Sequence, residues 1–504
     1  MKKIFCILLF FSTIVFAHTM WVRIYYSNDF ERQILLDRDY DILTGNAQEG
    51  YFEYFLDKEV VDELMHLGFR TDILHPDIIT YLEATYGHLR IDFGYYYTYA
   101  EMVQELDQIA ITYPDITHKV SIGQTWEGRE IWAMKVSDNA NQNEDEPTVL
   151  VTGVHHAREP IGTSICIDFI NWLVTNYGTN DSATTIVNTD EVWLVPCVNP
   201  DGYVFNETYE DPWGGWRKNC RDNNNNGQMD PDYDGVDLNR NYAYQWGYDN
   251  NGSSPDPSSD TYRGPSPMSE PEVQAVGELC DSFEFLYAIN YHSYGNYLIV
   301  PWGYINSWVP SPDSEIYHVM AESMTTYIGV PNNYTWGTAY QTVGYPANGT
   351  SDDWLYGEQG LKPKGFGFSP EVGTSFWQGA NDTSIIVTHC NENRPMIIFL
   401  CLRAASTGVA ETDRALPLSN ISILPNPVTD RCMVSFNVDH PSEINIKIYD
   451  ATGRLVLQTG KVQYNAGHNI INMDVRNLCS GVYLVNLNKG EKETIHEKLV
   501  ILRK

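Results

Sequence analysis

His156 and Glu159, three positions apart, can turn an imidazole and a carboxylate towards one ion, His292 offers a second imidazole, and Glu371 a further carboxylate. Two imidazoles and one carboxylate leave a coordination position open for water, the donor set of catalytic zinc. Zinc in such a site lowers the pKa of its water towards about 7 and polarises a carbonyl oxygen. A free carboxylate beside it, here Glu371, takes the water's proton and returns it to a leaving amine, help typically worth about 10²–10⁴-fold in rate. By itself the His-x-x-Glu spacing is common, and a polar surface turn explains it as readily as a metal does.

The elements that must position these residues separate the two readings. Thr148–Val154 reads as a buried strand that ends at His155-His156-Ala157-Arg158-Glu159. Phe285–Tyr291 is a second strand, ending at His292-Ser293-Tyr294, and the apolar stretch Phe366-Gly367-Phe368-Ser369-Pro370 delivers Glu371. In open α/β sheets, sites collect beyond the carboxyl ends of strands. Between these strands the spacing predicts amphipathic helices over Glu101–Tyr113 and Ile161–Tyr177, and a strand over Glu191–Val195. Ser269-Glu270-Pro271-Glu272 reads as a capping box opening a helix to about Phe283, and a last helix runs to about Ala404, interrupted or restarted at Pro395. Alternating helices and strands over 95–405 argue for an α/β core, a mixed sheet flanked by helices.

Both flanks differ from this core. Lys2 and Lys3 precede an apolar run from Ile4 to Phe16, and Val15-Phe16-Ala17 supplies a cleavage site, so residues 1–17 read as an export signal. The run is shorter than the roughly 20 residues a spanning helix needs. Residues 18–94 form a small α+β module, with strands at Trp21–Tyr26 and Phe69–Leu74 and a helix at Asp57–Leu67 carrying Val60, Val61, Leu64 and Met65 on one face. A folded appendage and an inhibitory pro-segment are both open for it. Over 414–504, Met433–Val438, Ile444–Tyr449, Arg454–Gln458, Ile470–Val475 and Gly481–Leu487 read as short strands of a β-sandwich. Thirty-two basic against sixty-six acidic residues give a net charge of −34, which repels nucleic acid and anionic membranes. It suits solubility outside a cell, or cationic substrates. With Cys6 removed in the leader, eight cysteines remain, an even number that permits disulfides in an exported chain.

Taken together and in this order, the motifs of 95–405 resemble the zinc metallocarboxypeptidases. The resemblance implies His156, Glu159 and His292 as zinc ligands and Glu371 as the catalytic carboxylate. Asn199-Pro200-Asp201-Gly202-Tyr203 matches a structural turn. It also implies Asn239 and Arg240, in Asp237-Leu238-Asn239-Arg240-Asn241-Tyr242, as donors to a substrate's terminal carboxylate, for which a bidentate Arg is suited. Arg158 matches a secondary carboxylate contact, Tyr345 a tyrosine that closes over substrate, and His155 a pocket-lining neighbour of the ligand. Asp352 falls at the floor of the side-chain pocket, where an Asp accompanies preference for terminal Arg or Lys, or a mixed preference if it turns aside. The expected arginine facing the carbonyl oxygen is missing from the third place after Arg217, where Cys220 stands; Arg221 or Arg217 is left to supply it.

Asp222, Asn224, Asn226, Gly227 and Asp230 follow the D-x-N-x-N-G pattern of calcium loops, but the twelfth position is Tyr233, and a flexible Asn-rich loop is the alternative. The C-terminal segment resembles the sorting domain of type IX secretion substrates, through Leu424-Pro425-Asn426-Pro427-Val428, Ile448-Tyr449-Asp450-Ala451-Thr452-Gly453-Arg454, Gly481-Val482-Tyr483 and the basic ending Arg503-Lys504. It implies the type IX machinery as a partner and a route through periplasm and outer membrane to secretion or the cell surface. A spacer or carbohydrate-binding module is the bland alternative for that domain. For the whole chain the expectation is a secreted exopeptidase acting on peptide or protein C-termini. A cell-wall peptide amidase and a catalytically inactive peptide-binding homologue are the rivals.

Overall fold

The computed structural model describes residues 19–504 apart from 39, 79–92, 209–214, 329–333, 361, 409–418, 425, 439–440, 451–453, 466, 490–492 and 504. The expected leader, 1–17, lies outside them. The chain divides into two compact units, one running to Ala405 and the other beginning at Ser406.

The first unit opens with β1 (Thr19–Tyr25), α1 (Asp29–Leu36), β2 (Ile42–Asn46), β3 (Tyr51–Asp57), α2 (Lys58–His66) and β4 (Thr71–His75). Its strands pair antiparallel in the order β2-β3-β1-β4. The sequence predicts β1, α2 and β4 but neither α1 nor the β2–β3 hairpin. In β2 and β3 most positions are buried on both faces, so the alternation that marks a half-buried strand is absent. On α2 the apolar face is narrower than expected: Val61 and Leu64 are buried, whereas Met65 is exposed.

The larger part of the unit comprises α3 (Tyr99–Thr112), β5 (Thr117–Gln124), β6 (Glu130–Val136), β7 (Thr148–Gly153), α4 (Ile161–Asn176), α5 (Asp181–Thr189), β8 (Glu191–Val195), α6 (Pro200–Asn206), α7 (Pro271–Ser282), β9 (Phe285–Tyr291), β10 (Tyr297–Ile299), α8 (Asp313–Glu322), β11 (Thr335–Gly337), α9 (Ser351–Gly357), β12 (Phe366–Glu371) and α10 (Thr383–Gly408). Eight strands form one sheet in the order β11-β10-β12-β9-β7-β8-β6-β5. The central β12, β9, β7 and β8 run parallel, so their carboxyl ends share one edge, and β11, β10, β6 and β5 complete a mixed sheet. All six residues of β7 are buried, as befits a strand with both faces covered. Helix α4 lies so close to β7 that a Cβ on Gly153 would stand 2.7 Å from the carbonyl carbon of Gly162.

Two local expectations fail. No capping box forms at α7: Glu270 is its N-cap without a side-chain cap bond, and Ser269 Oγ donates to the Glu270 carboxylate at 2.6 Å. That carboxylate is also claimed by Trp126, Asn219 and Arg221. Pro395 neither interrupts nor restarts the last helix, which runs unbroken from Thr383 to Gly408. Burial of Met396, Ile397, Leu400, Cys401 and Ala404 offsets the roughly 3 kcal/mol that an interior proline costs.

The second unit holds β13 (Ser419–Leu424), β14 (Arg431–Val438), β15 (Ser442–Asp450), β16 (Leu455–Gln458), β17 (Val462–Tyr464), β18 (Gly467–Asp474), β19 (Gly481–Lys489) and β20 (Glu493–Ile501). One sheet is β13-β14-β18; the other is β16-β15-β19-β20, with β17 also on β15. Ile444, Ile446 and Ile448 alternate inward from β15 into a core shared with Phe436 and Leu487. The eight cysteines among the described residues are unpaired thiols, seven of them buried, so the disulfides that the even count permits are not formed. No helix among the described residues is long and apolar enough to cross a membrane.

Candidate metal centre and substrate cleft

The parallel strands deliver the chemistry to one edge. After β7, Val154 adopts φ +56°, a left-handed conformation costly for a β-branched residue and found where surrounding structure enforces it. Beyond this reversal His156 and Glu159 meet His292, which follows β9, and Glu371, which ends β12 and bridges His292. Nδ1 of His156 lies 2.8 Å from Glu159 Oε1, Nδ1 of His292 lies 3.0 Å from Glu159 Oε2, and the two Nδ1 atoms are 3.2 Å apart. Two nitrogens bound to one tetrahedral zinc at about 2.0–2.1 Å are separated by about 3.3 Å. The donor set therefore fits zinc by type, convergence and spacing; all three ligand side chains are buried.

The outward nitrogens are oriented by a second set of residues. A short 3₁₀ turn, Leu238–Arg240, is capped by Asp237, whose Oδ1 accepts from Asn239 N at 2.9 Å and lies 3.2 Å from His156 Nε2. Its Oδ2 accepts from Arg217 Nε and Nη2 at 3.0 and 2.8 Å. Against the cost of burial, Arg217 and His156 hold the Asp237 carboxyl well below its ordinary range. The Asn239 amide nitrogen stands 3.2 Å from His292 Nε2, and its oxygen accepts from Ser351 N at 2.9 Å. Such partners fix ring orientation and ligand basicity. Burial, with the Glu159 charge added, pushes Glu371 up to about 8 against the pull of His292 and Arg217.

A cleft of about 660 Å³ opens from this centre, and Arg217, Asn239, Arg240, Tyr345, Asp352 and Glu371 all line it. Arg240 Nη1 donates to Asn239 O at 2.8 Å, while its Nε is buried without a partner among the described residues. An unsatisfied guanidinium nitrogen in a cleft wall is a receptor for an anion. Asp352, in the first turn of α9, is 4 % exposed, and its carboxylate meets no hydrogen-bond donor among the described residues. The next residue, Asp353, is turned away to accept from Gly303 N and Tyr304 N. Gly367 on β12 permits this placement, since a Cβ there would stand 2.8 Å from Asp352 Cα.

Other expected residues lie elsewhere. His155 does not line the cleft: it is fully buried behind the centre, with Nε2 2.8 Å from the Tyr242 hydroxyl and its ring stacked 5.6 Å from His292. Burial, with the neighbouring His292 and His156, holds it well below the usual histidine range. Arg221 is not at the centre either; it pairs with Glu270 at 3.0 Å and lies over Trp126, while Arg217 occupies the cleft. Arg158 is buried with its guanidinium on Asp41 at 3.0 and 3.2 Å and on Asp260 at 3.5 Å. Asn199 is scaffold as expected, bonding His155 O and Lys218 O and capping α6 through Gly202 N. In the Asn-rich loop the oxygens of Asp222, Asn224, Asn226 and Asp230 accept the loop's own backbone amides. Its carboxylates bring no three ligand atoms within 4.8 Å, as two other groups among the described residues do. The loop closes on itself as a ladder of turns.

Sequence reasoning missed the N-terminal module's part in the cleft. Ile42 and Leu43 of β2 line it. Thr44 Oγ1 donates to Tyr294 O at 3.2 Å, Ala47 N to Thr342 O at 2.9 Å and Arg32 Nη1 to Gly344 O at 3.0 Å. The Tyr345 ring packs on Phe52, centroids 6.0 Å apart. No local pattern in the sequence signals contacts between positions so distant.

A mixed sheet with two histidines and a glutamate at its carboxyl edge, beside a cleft that Arg240 lines, sets the site to be compared with known proteins. The sequence profile described as zinc carboxypeptidase matches residues 102–393, more than half the chain, and the chain belongs to that family. Carboxypeptidase A2 of Mus musculus is 33% identical over 277 residues, 54% of this chain and 61% of that protein. Metallocarboxypeptidase A of Trichophyton tonsurans is 31% identical over 300 residues, 58% of this chain and 68% of its own. The match thus spans less than two thirds of the mouse relative. The crystal structure of carboxypeptidase A from Helicoverpa armigera shares the fold, with a TM-score of 0.66 at 23% identity over 79% of this chain and 99% of that one. A second profile, a secretion system C-terminal sorting domain, matches residues 422–502 and identifies the β-sandwich as a type IX sorting domain.

Proposed function

We propose that the chain is an exported zinc carboxypeptidase, made as a precursor, that removes the last residue of peptides or proteins. The observation that carries this reading is that one cleft is lined by the His156–Glu159–His292 cluster, by Glu371 and by Arg240. An endopeptidase has no use for a buried anion receptor at the end of its cleft. Zinc held by the three ligands would activate water and polarise the scissile carbonyl. Arg240, with Asn239 beside it, takes the terminal carboxylate and so sets which bond lies at the centre. Glu371 accepts the proton of the attacking water at its carboxylate and returns it to the departing amine. Arg217, anchored by Asp237, presents a positive charge where the carbonyl oxygen gains a negative one. Tyr345 flanks the substrate once freed from Phe52.

Asp352 at the cleft wall supports a preference for terminal Arg or Lys, because its buried carboxylate gains a partner only from a cationic side chain. Ile299, Ala339 and Val343, also in the wall, give apolar ends a surface and support some tolerance for them. Residues 18–94 act as an inhibitory pro-segment on this reading, supported by β2 in the cleft and by Asp41 on Arg158. The sorting domain supports export by the type IX machinery to the medium or the cell surface. Zinc analysis with peptides differing only in their last residue tests the core of the proposal. Stoichiometric zinc and release of single C-terminal residues are expected; cleavage of C-terminally amidated peptides at equal rates would refute the carboxylate clamp.

A further inference from the structure

Asn219 stands two positions after Arg217, is fully buried and takes no part in the cleft wall. Its side-chain amide makes all four hydrogen bonds open to an asparagine. Oδ1 accepts from Val236 N at 2.8 Å and from Arg221 N at 3.3 Å, while Nδ2 donates to Glu270 Oε2 at 2.9 Å and to Glu272 Oε2 at 3.1 Å. Its backbone N–H donates to Val236 O at 3.0 Å, so Asn219 holds both backbone groups of Val236. The next residue is Asp237, whose Oδ2 accepts from two nitrogens of Arg217. A closed ring results, running from Arg217 along the chain to Asn219, across to Val236, on to Asp237 and back to Arg217.

The two glutamates beneath the ring differ. Glu270 accepts from Trp126, Ser269 and Arg221 as well as from Asn219, company that suits an ionised carboxylate. Glu272, in the first turn of α7, is 0 % exposed and accepts from the Asn219 amide on one oxygen; its Oε1 is buried without a partner among the described residues. A charge so placed is costly, and a neutral acid much less so. The charges that face Glu272 are Glu270 and, from α6, Asp201, with Glu127 on the far side of Cys220; the nearby cations Arg221 and Arg129 are committed to Glu270 and Asp201. Burial, then the Glu270 charge, with Asp201 adding, pushes Glu272 up to about 8 against the pull of its own backbone amide and of Asn219.

We propose that Asn219 is a positioning residue for Arg217, its amide fixed by an ionised Glu270 and a neutral Glu272 in the one orientation that clasps Val236. Turned about, the amide would set its oxygen against the Glu270 carboxylate and its NH₂ against the Val236 N–H, losing partners on both sides. With the clasp in place, Asp237 cannot shift without Asn219, and the Arg217 guanidinium keeps its place in the cleft. The inference rests on the part given to Arg217 under the proposed function.

The kinetic test uses chain folded whole, loaded with zinc and then freed of residues 18–94. Asn219→Ala should keep its zinc and lose about 10–10²-fold in kcat, the scale on which a misplaced group acts. The double variant Arg217→Gln, Asn219→Ala should lose no more than Arg217→Gln alone, whereas independent losses would multiply. Arg217→Gln by itself reports on the part of Arg217, so an unchanged kcat there refutes that part and is told apart from failure of the clasp. Melting of the full chain reads the proton, and does so even where Asn219→Ala fails to fold. Glu272 is raised from 4.5 to about 8, so its neutral form stabilises fully below about pH 4.5 and that contribution is lost as pH rises to about 8. Glu272→Gln is neutral throughout. Wild-type melting temperature minus that of Glu272→Gln should therefore fall between these limits and stay level above them. A near-wild-type kcat in zinc-loaded Asn219→Ala, a double variant in which the two losses multiply, or a melting difference that ignores pH would overturn the assignment.

Discussion

Replacing Asp41 by Asn should convert the precursor into a leaky enzyme. Arg158 places both terminal nitrogens on that carboxylate, at 3.0 and 3.2 Å, and its side chain is 3% exposed against 31% for Asp41. A hydrogen bond to a charged group contributes about 1.5–3 kcal/mol. Partial exposure of Asp41 and the presence of Asp260, 3.5 Å from the same guanidinium, hold the loss to the lower part of that range. About 1.5–2 kcal/mol corresponds to roughly 10–30-fold weaker docking of the module, at about 1.4 kcal/mol per tenfold. The assay is hydrolysis of a short peptide by intact chain, and again by enzyme from which residues 18–94 have been removed. The intact variant should show about 10–30-fold more activity than intact wild type, and the two processed enzymes equal kcat/KM. An intact variant as silent as wild type, or a processed one with altered kcat/KM, would refute the latch.

The same interface carries a pH dependence. Burial and the neighbouring Asp41 push Asp260 up to about 7 from 3.8, while Arg158 holds Asp41 below its ordinary value despite burial. Docking therefore prefers a protonated Asp260 and an ionised Asp41; it should weaken as pH rises through 7, and again as pH falls below about 4. Precursor activity measured across pH should be lowest between these limits, and Asp260→Asn should remove the alkaline rise. Glu371→Gln should retain zinc by metal analysis and lose about 10²–10⁴ in kcat. Arg217→Gln should lower kcat by about 10²-fold, whereas Arg221→Gln should leave kcat and KM near wild type. Asp352→Ala should shift the Arg-to-Leu ratio of kcat/KM by about 10–150-fold towards Leu, the equivalent of about 1.5–3 kcal/mol; an unchanged ratio rules it out as selector.

The convergence of His156, Glu159, His292 and Glu371 was legible because the strands before them are apolar runs that read as buried, and parallel strands end on one edge. Asn239 and Arg240 were legible through the motif around them. What the sequence left open depends on approach between distant segments. Arg217 and Arg221 differ by four positions; only the carboxylates they meet, Asp237 and Glu270, assign them to cleft and scaffold. His155 and His156 are neighbours, and the turn at Val154 alone decides which of them reaches the metal centre. The β2–β3 hairpin was missed because burial against the larger domain erases its alternation.

The eight free thiols bear on how such a chain reaches its folded state. Nothing in its stability waits on an oxidising compartment, a disulfide oxidase or the sorting of alternative pairings. A reducing cytoplasm should therefore yield the same fold as an oxidising one, and thiol reductants should leave it standing. Cys479, the one exposed thiol, is in the sorting domain, so a maleimide dye placed there would report on the tail while the catalytic unit stays unlabelled.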